Sequence, residues 1–139
     1  MDTDLRQGRL NIIVGILGLL LAALGGTILG LTFDKFAVKD GNHVLSMTRF
    51  YLREGHSHGM PISLFNLILG TFLDRWFVSV RLKKICSWAA VAAMILPIGL
   101  AAKGAAGAPS DFPPLGIIGV FGLITCLVCL LLGYRRISK

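Results

Sequence analysis

Residues 10–32 read LNIIVGILGLLLAALGGTILGLT, an apolar run that contains no charged side chain. A bilayer core about 30 Å thick needs roughly 17–25 such residues to be crossed by a helix. Because no water is present there, the backbone must satisfy its own hydrogen bonds, and the run lacks the alternation of a strand. The run therefore predicts a transmembrane helix over about 10–32.

Three further segments have a similar character, and they lie at about 54–73, 85–102 and 115–134. Hydrophobic residues make up 55% of the chain and charged residues only 15%, and the mean hydropathy is +0.76. Soluble domains carry about 25% charged residues, so most of this surface should face lipid. We therefore expect an all-α integral membrane protein, a bundle of four transmembrane helices forming a single domain over 1–139.

The basic residues predict an orientation in the membrane. The net charge of +7 is divided among short clusters between the apolar runs, which is unlike the basic patch of a nucleic-acid-binding protein. Lysine and arginine are more frequent in the N-terminal tail, the second connection and the C-terminus than in the other two connections. This bias predicts a multi-pass protein of a bacterial-type inner membrane with both termini in the cytoplasm.

The first connection, 33–53, is then an outer loop. Its Asp40-Gly41-Asn42 sequence favours a turn. The flanking residues suit a short hairpin, whereas 45–53 equally suits an interfacial helix, and the periodicity leaves both open.

Small residues recur every four positions in the first run, at Gly18, Ala22, Gly26 and Gly30. Such a stripe allows helix backbones to approach closely in lipid. We expect it to pack against a helix of the same chain, with a homo-oligomer or a partner subunit as the alternative. Asn66 lies near the middle of the second run. Because lipid offers no hydrogen-bond partner to a polar side chain, Asn66 should hydrogen-bond to another helix.

The second run is entered through residues 53–61, REGHSHGMP, which hold two of the three histidines. Ionisable side chains at membrane depth are costly and are therefore candidates for function. If 56–58 is helical, His56 and His58 point in nearly opposite directions and serve separate sites. If it is extended, the two side chains share a face and could hold one ion. Pro61 suits the first turn of a helix but also permits a helix that began upstream.

His56-Ser57-His58 followed by an apolar helix resembles the His-x-His motif in the tenth helix of haem–copper oxidases and nitric oxide reductases. It is also similar to a motif in small four-helix membrane proteins of uncharacterised function. The resemblance implies that His56 and His58 bind haem iron. The sixth position would then be open or weakly bound, or be filled by Met60, Met47 or a histidine from another subunit, because this chain has no further histidine in its apolar runs.

Several ligands fit these histidines. Haem or another tetrapyrrole is one, and a copper or zinc ion bound by His56 and His58 with His43, Met47 or Met60 is another; thioether and imidazole together favour Cu(I). A proton relay, or interfacial histidines hydrogen-bonded to Glu54 or Ser57, are the remaining alternatives. Within a helix His58 shares its face with apolar residues, so the sequence favours His58 as the intramembrane haem ligand.

Two functions follow from this reading. The first is a protein that binds haem or a metal near the outer face and serves electron transfer or redox chemistry within an oligomer or a larger complex. The second is a cofactor-free accessory subunit of a respiratory, photosynthetic or oxidative membrane complex. The C-x-x-C pair Cys126 and Cys129 lies in an apolar run without a nearby histidine or lysine, so we expect it to be structural.

Overall fold

The computed structural model describes residues 8–32 and 47–137, with side chains up to Arg135. This part of the chain is helical and contains no strand. Its five helices are α1 Arg9–Leu31, α2 Met47–Leu73, α3 Val80–Ala93, α4 Ile95–Ala105 and α5 Gly116–Ile137. The prediction of an all-α protein is confirmed for these residues, and the predicted outer loop lies partly outside them.

Three helical stretches are long and apolar enough to cross a membrane: Arg9–Leu31, Val80–Ala105 and Gly116–Arg135. Helix α2 is the longest, at 27 residues, but it is not in this set. It begins at Met47, well before the predicted start at residue 54, and its first half carries the polar residues Arg49, Arg53 and Glu54. Residues 47–53, part of the segment considered as an interfacial helix, are therefore continuous with the predicted second helix, and residues 45 and 46 lie outside the described part of the chain.

Helices α3 and α4 are two parts of one stretch that is interrupted at Met94. Pro97 has no backbone N–H, so the carbonyl of Ala93 lacks its usual helical donor. At the interruption the Met94 N–H donates to the carbonyl of Val91, three residues back, at 3.0 Å. The kink that Pro97 predicts thus appears one turn before the proline.

Small residues bring α1 directly against α2. A Cβ added to Gly15 would lie 2.6 Å from the backbone nitrogen of Leu67, and one added to Gly26 would lie 2.5 Å from Cε1 of His56. Ala22 is also buried, whereas nothing lies within 4 Å of a Cβ at Gly30. The predicted packing within the chain is confirmed for the stripe up to Gly26, and Gly30 does not take part.

A buried polar network joins α1, α2 and α3. The Asn11 amide donates to Oδ1 of Asn66 at 2.9 Å and to the carbonyl of Ser87 at 3.2 Å. The Asn66 amide donates to the carbonyls of Ala90 at 2.9 Å and Ile62 at 3.1 Å, and the Ser87 hydroxyl donates to Oδ1 of Asn11. Asn66 therefore bonds to other helices as predicted, and both asparagines are fully buried.

Helix α5 packs on α3 and α4, so the helices follow one another in the order α1, α2, α3–α4, α5. Cys86 of α3 and Cys126 of α5 meet in this interface with their sulfurs 3.4 Å apart, and both belong to an apolar cluster with Leu73 and Trp76. The three cysteines of the chain are free thiols. Their surroundings agree with a packing role.

The molecule has two distinct ends. At one, Asp74 accepts a hydrogen bond from the Gly8 N–H at 3.1 Å, and Trp76 covers Gly133 of α5. This is the basic end, which also holds Arg75. The other end we call the groove end, after the groove that lies there between α1, α2 and α4. Here Arg49 of α2 contacts the last carbonyls of α1. Helix α1, helix α2, the α3–α4 stretch and helix α5 therefore run in alternating directions.

Candidate functional site

Helix α2 runs without interruption through His56 and His58, so the extended alternative for this segment is not the one found. The two side chains consequently point to different surroundings. His56 faces α1, and His58 lies on the outer side of α2 beside Glu54. They do not converge on one point.

The His56 ring is fixed by a backbone hydrogen bond. Its Nδ1 lies 2.7 Å from the carbonyl oxygen of Ala22. Because a carbonyl only accepts, Nδ1 must carry the proton in this contact, and in the neutral ring Nε2 is then the nitrogen with the lone pair. Gly26 permits the approach, since its missing side chain leaves room for the ring. A backbone carbonyl on the second ring nitrogen is the usual support of a metal-binding histidine.

His58 is held by polar groups of its own helix. Its Nδ1 lies 2.9 Å from the carbonyl oxygen of Glu54 and 3.7 Å from the Glu54 carboxylate. The same carboxylate lies 3.3 Å from the Arg53 guanidinium. With 45% of its side chain exposed, His58 is not enclosed by apolar residues of this chain.

A groove of about 800 Å³ lies between α1, α2 and α4 at the groove end. Small residues line much of it, and larger apolar side chains such as Leu21 and Ile98 border it. Gly18 and Gly55 lie where the helices are in close contact, whereas Gly25 faces open space. His56 and Arg49 are its strongly polar lining side chains. The small lining residues are Gly18, Ala22, Gly25, Gly55, Gly59 and Ala101.

Arg49 is buried where the groove meets the C-terminus of α1. Its Nη2 donates to the carbonyl of Leu29 at 2.9 Å, and its Nη1 lies 3.5 Å from the carbonyl of Thr32. A cation at this position satisfies carbonyls that lack helical donors and matches the negative end of the helix dipole. The sequence indicates only that Arg49 is a charge of the first connection. Its contact with α1 could not be predicted, because no local pattern links Arg49 to the end of the first apolar run.

The other predicted ligands lie apart from this groove. Met60 and Met47 are exposed side chains that do not line it, and His43 lies outside the described residues. In the described part of the chain, no three His, Cys, Asp or Glu side chains are close enough together to hold a metal ion. What this region brings together is one imidazole, one guanidinium and an apolar groove.

Comparison with protein-family models, curated proteins and solved structures finds no match to this chain. The functional reading therefore depends on the site itself.

Proposed function

We propose that this protein is an inner-membrane protein that binds haem, or a closely related planar tetrapyrrole, in the groove between α1, α2 and α4. His56 would bind the haem iron through Nε2, the nitrogen that its contact with the Ala22 carbonyl leaves with the lone pair. The observation that carries the proposal is the Nδ1 contact of His56 with the Ala22 carbonyl beside an apolar groove. Bound haem would supply one-electron redox chemistry near the outer face.

The groove fits such a ligand in size and composition. Cofactor pockets usually have volumes of roughly 300–1,000 Å³, apolar walls and a few polar groups that orient the ligand. Its lining is mostly apolar, and Met94 and Pro97 border it on the α3–α4 side. One imidazole supplies one axial ligand, so a second ligand would come from another subunit of an oligomer or larger complex.

His56 is preferred to His58, which the sequence favoured, because His58 is half-exposed and bound to Glu54. Because the His56 and His58 side chains point to different surroundings, one copper or zinc ion shared by both is disfavoured. A cofactor-free accessory subunit remains the alternative function. The apolar faces that α1 and α5 leave exposed would suit such a partner as well as they suit lipid.

Filling the groove should prevent haem binding. Gly25 lines the groove and has nothing within 4 Å of an added Cβ, so the Cβ of Gly25→Phe meets no neighbour and its ring should occupy part of the groove. We expect haem affinity, measured by titration of the purified protein followed at the Soret band, to fall by about tenfold or more, a change worth about 1.4 kcal/mol.

Gly30→Phe is the matched control, because Gly30 lies on the same helix in equally open space but does not line the groove. Its haem affinity should equal that of the unmodified protein. Equal affinities in both variants would place the binding site elsewhere.

The proposed orientation has four spans with both termini in the cytoplasm. Helix α2 packs along α1 and α4, so it must lie in the membrane if they do. Most described lysines and arginines lie at the basic end, namely Arg9, Arg75, Arg81, Lys83, Lys84 and Arg135. The groove end has Arg49, Arg53 and Lys103. The positive-inside rule then places the basic end in the cytoplasm.

A reporter fused to the C-terminus tests this orientation. We expect a fluorescent protein that matures only in the cytoplasm to be bright, and alkaline phosphatase at the same site to be inactive. The reverse pattern would mean that the protein has the opposite orientation, with the groove in the cytoplasmic leaflet.

A further inference from the structure

A second cavity lies at the basic end, far from the groove. It has a volume of about 440 Å³ and lies between the C-terminal turn of α2 and the last turns of α5. Four aromatic side chains and one cation surround it. The lining residues are Phe72, Arg75, Trp76, Phe77, Leu130 and Tyr134, which we call the aromatic cleft.

Tight packing on one side holds the aromatic cleft open. Trp76 is only 4% exposed, because its indole occupies the space left by the missing side chain of Gly133. The Phe72 ring stacks at a tilt on Trp76 with centroids 5.4 Å apart. Phe77, the next residue along the chain, is 92% exposed and lies on the open side. The cleft therefore has a rigid inner wall and an apolar outer edge.

The positive charge of Arg75 in the aromatic cleft is not neutralised by Asp74, its neighbour in sequence. Asp74 and Arg75 are adjacent but do not form an ion pair, and the Asp74 carboxylate accepts a hydrogen bond from the Gly8 N–H. Arg75 is exposed and makes no side-chain ion pair with any residue of 8–32 or 47–135. Its guanidinium is thus available to an anion that enters the cleft.

We propose that the aromatic cleft binds one acidic phospholipid of the cytoplasmic leaflet. A guanidinium binds a phosphate through paired charge-assisted hydrogen bonds. Phe72 and Leu130 offer an apolar wall to the acyl chains, and tryptophan and tyrosine are typical of the headgroup level. The apolar wall favours a lipid over free phosphate. This inference uses the proposed orientation but not the haem site.

Native mass spectrometry of the detergent-purified protein tests the inference. We expect phosphatidylglycerol to be retained over phosphatidylcholine with the same acyl chains. Arg75→Gln should reduce phosphatidylglycerol retention by about fivefold, the effect of one basic residue near an anionic headgroup. Arg81→Gln, an exposed arginine of the same end outside the cleft, should change retention little.

Two results would overturn the inference. One is equal retention of the two lipids by the unmodified protein. The other is equal loss on Arg75→Gln and Arg81→Gln, which would mean diffuse attraction to the basic end rather than a site. Because the variants leave His56 and the groove intact, their haem spectra report separately on the proposed function.

Discussion

Replacing Gly15 by valine is expected to destabilise the protein by about 3 kcal/mol, near the upper end for overpacking a close interface. An added Cβ would lie 2.6 Å from the backbone nitrogen of Leu67 and 2.8 Å from the carbonyl oxygen of Ser63. Both are main-chain atoms of α2, so no side-chain rotation relieves the overlap. The helices must separate, and the polar network beside them weakens. Unfolding by sodium dodecyl sulfate in mixed micelles, followed by circular dichroism, measures the loss.

Gly30→Val is the control for this prediction. It adds the same side chain to the same helix at a position with nothing within 4 Å. Its free energy of unfolding should stay within about 0.5 kcal/mol of the original, as for most surface substitutions. Equal losses in the two variants would show that glycine acts through helix flexibility rather than through contact with α2.

Asn66→Leu should cost about 1–2 kcal/mol, the second largest effect we expect. The substitution removes the donor to the Ala90 carbonyl and the acceptor for the Asn11 amide. All of these groups are buried, so no solvent replaces the lost bonds. The same unfolding measurement in mixed micelles quantifies the effect.

A double-mutant cycle with Asn11→Leu separates this network from simple packing. Removing both partners leaves fewer unpaired polar groups than removing one, so the double variant should lose less than the sum of the two single losses. Strict additivity would mean that the two asparagines stabilise the fold independently. The Asn11–Asn66 hydrogen bond would then contribute nothing measurable.

The helices of the apolar runs could be predicted because hydropathy is a local property. The start of α2 could not. The length of a transmembrane helix predicts a start near residue 54 and leaves the preceding segment open between a hairpin and an interfacial helix. The C-terminus of α1 offers carbonyls that accept from Arg49, and this contact stabilises a helical turn there. Tertiary contact thus decides what local composition leaves open. The interruption at Met94, by contrast, lies where a proline within a helix is expected to disturb it.

The candidate site, too, could be predicted from the sequence only in part. The sequence indicated that two histidines in a helix diverge, but which of them faces a neighbouring helix depends on the rotation of α2 against α1. Gly26 and the Ala22 carbonyl determine that rotation by admitting the His56 ring. Similarly, the sequence predicts a buried hydrogen bond for Asn66, whereas its partners on other helices, Asn11 and the carbonyl of Ala90, lie too far away in sequence to be identified.

The visible absorption spectrum of the purified, haem-reconstituted protein and its two histidine variants tests the central claim most directly. We expect a Soret band at stoichiometric intensity in the original protein and in His58→Ala, and its loss in His56→Ala. A band that disappears only in His58→Ala, or equally in both variants, would contradict the assignment of His56. No band in the unmodified protein would contradict haem binding altogether and favour the accessory-subunit alternative.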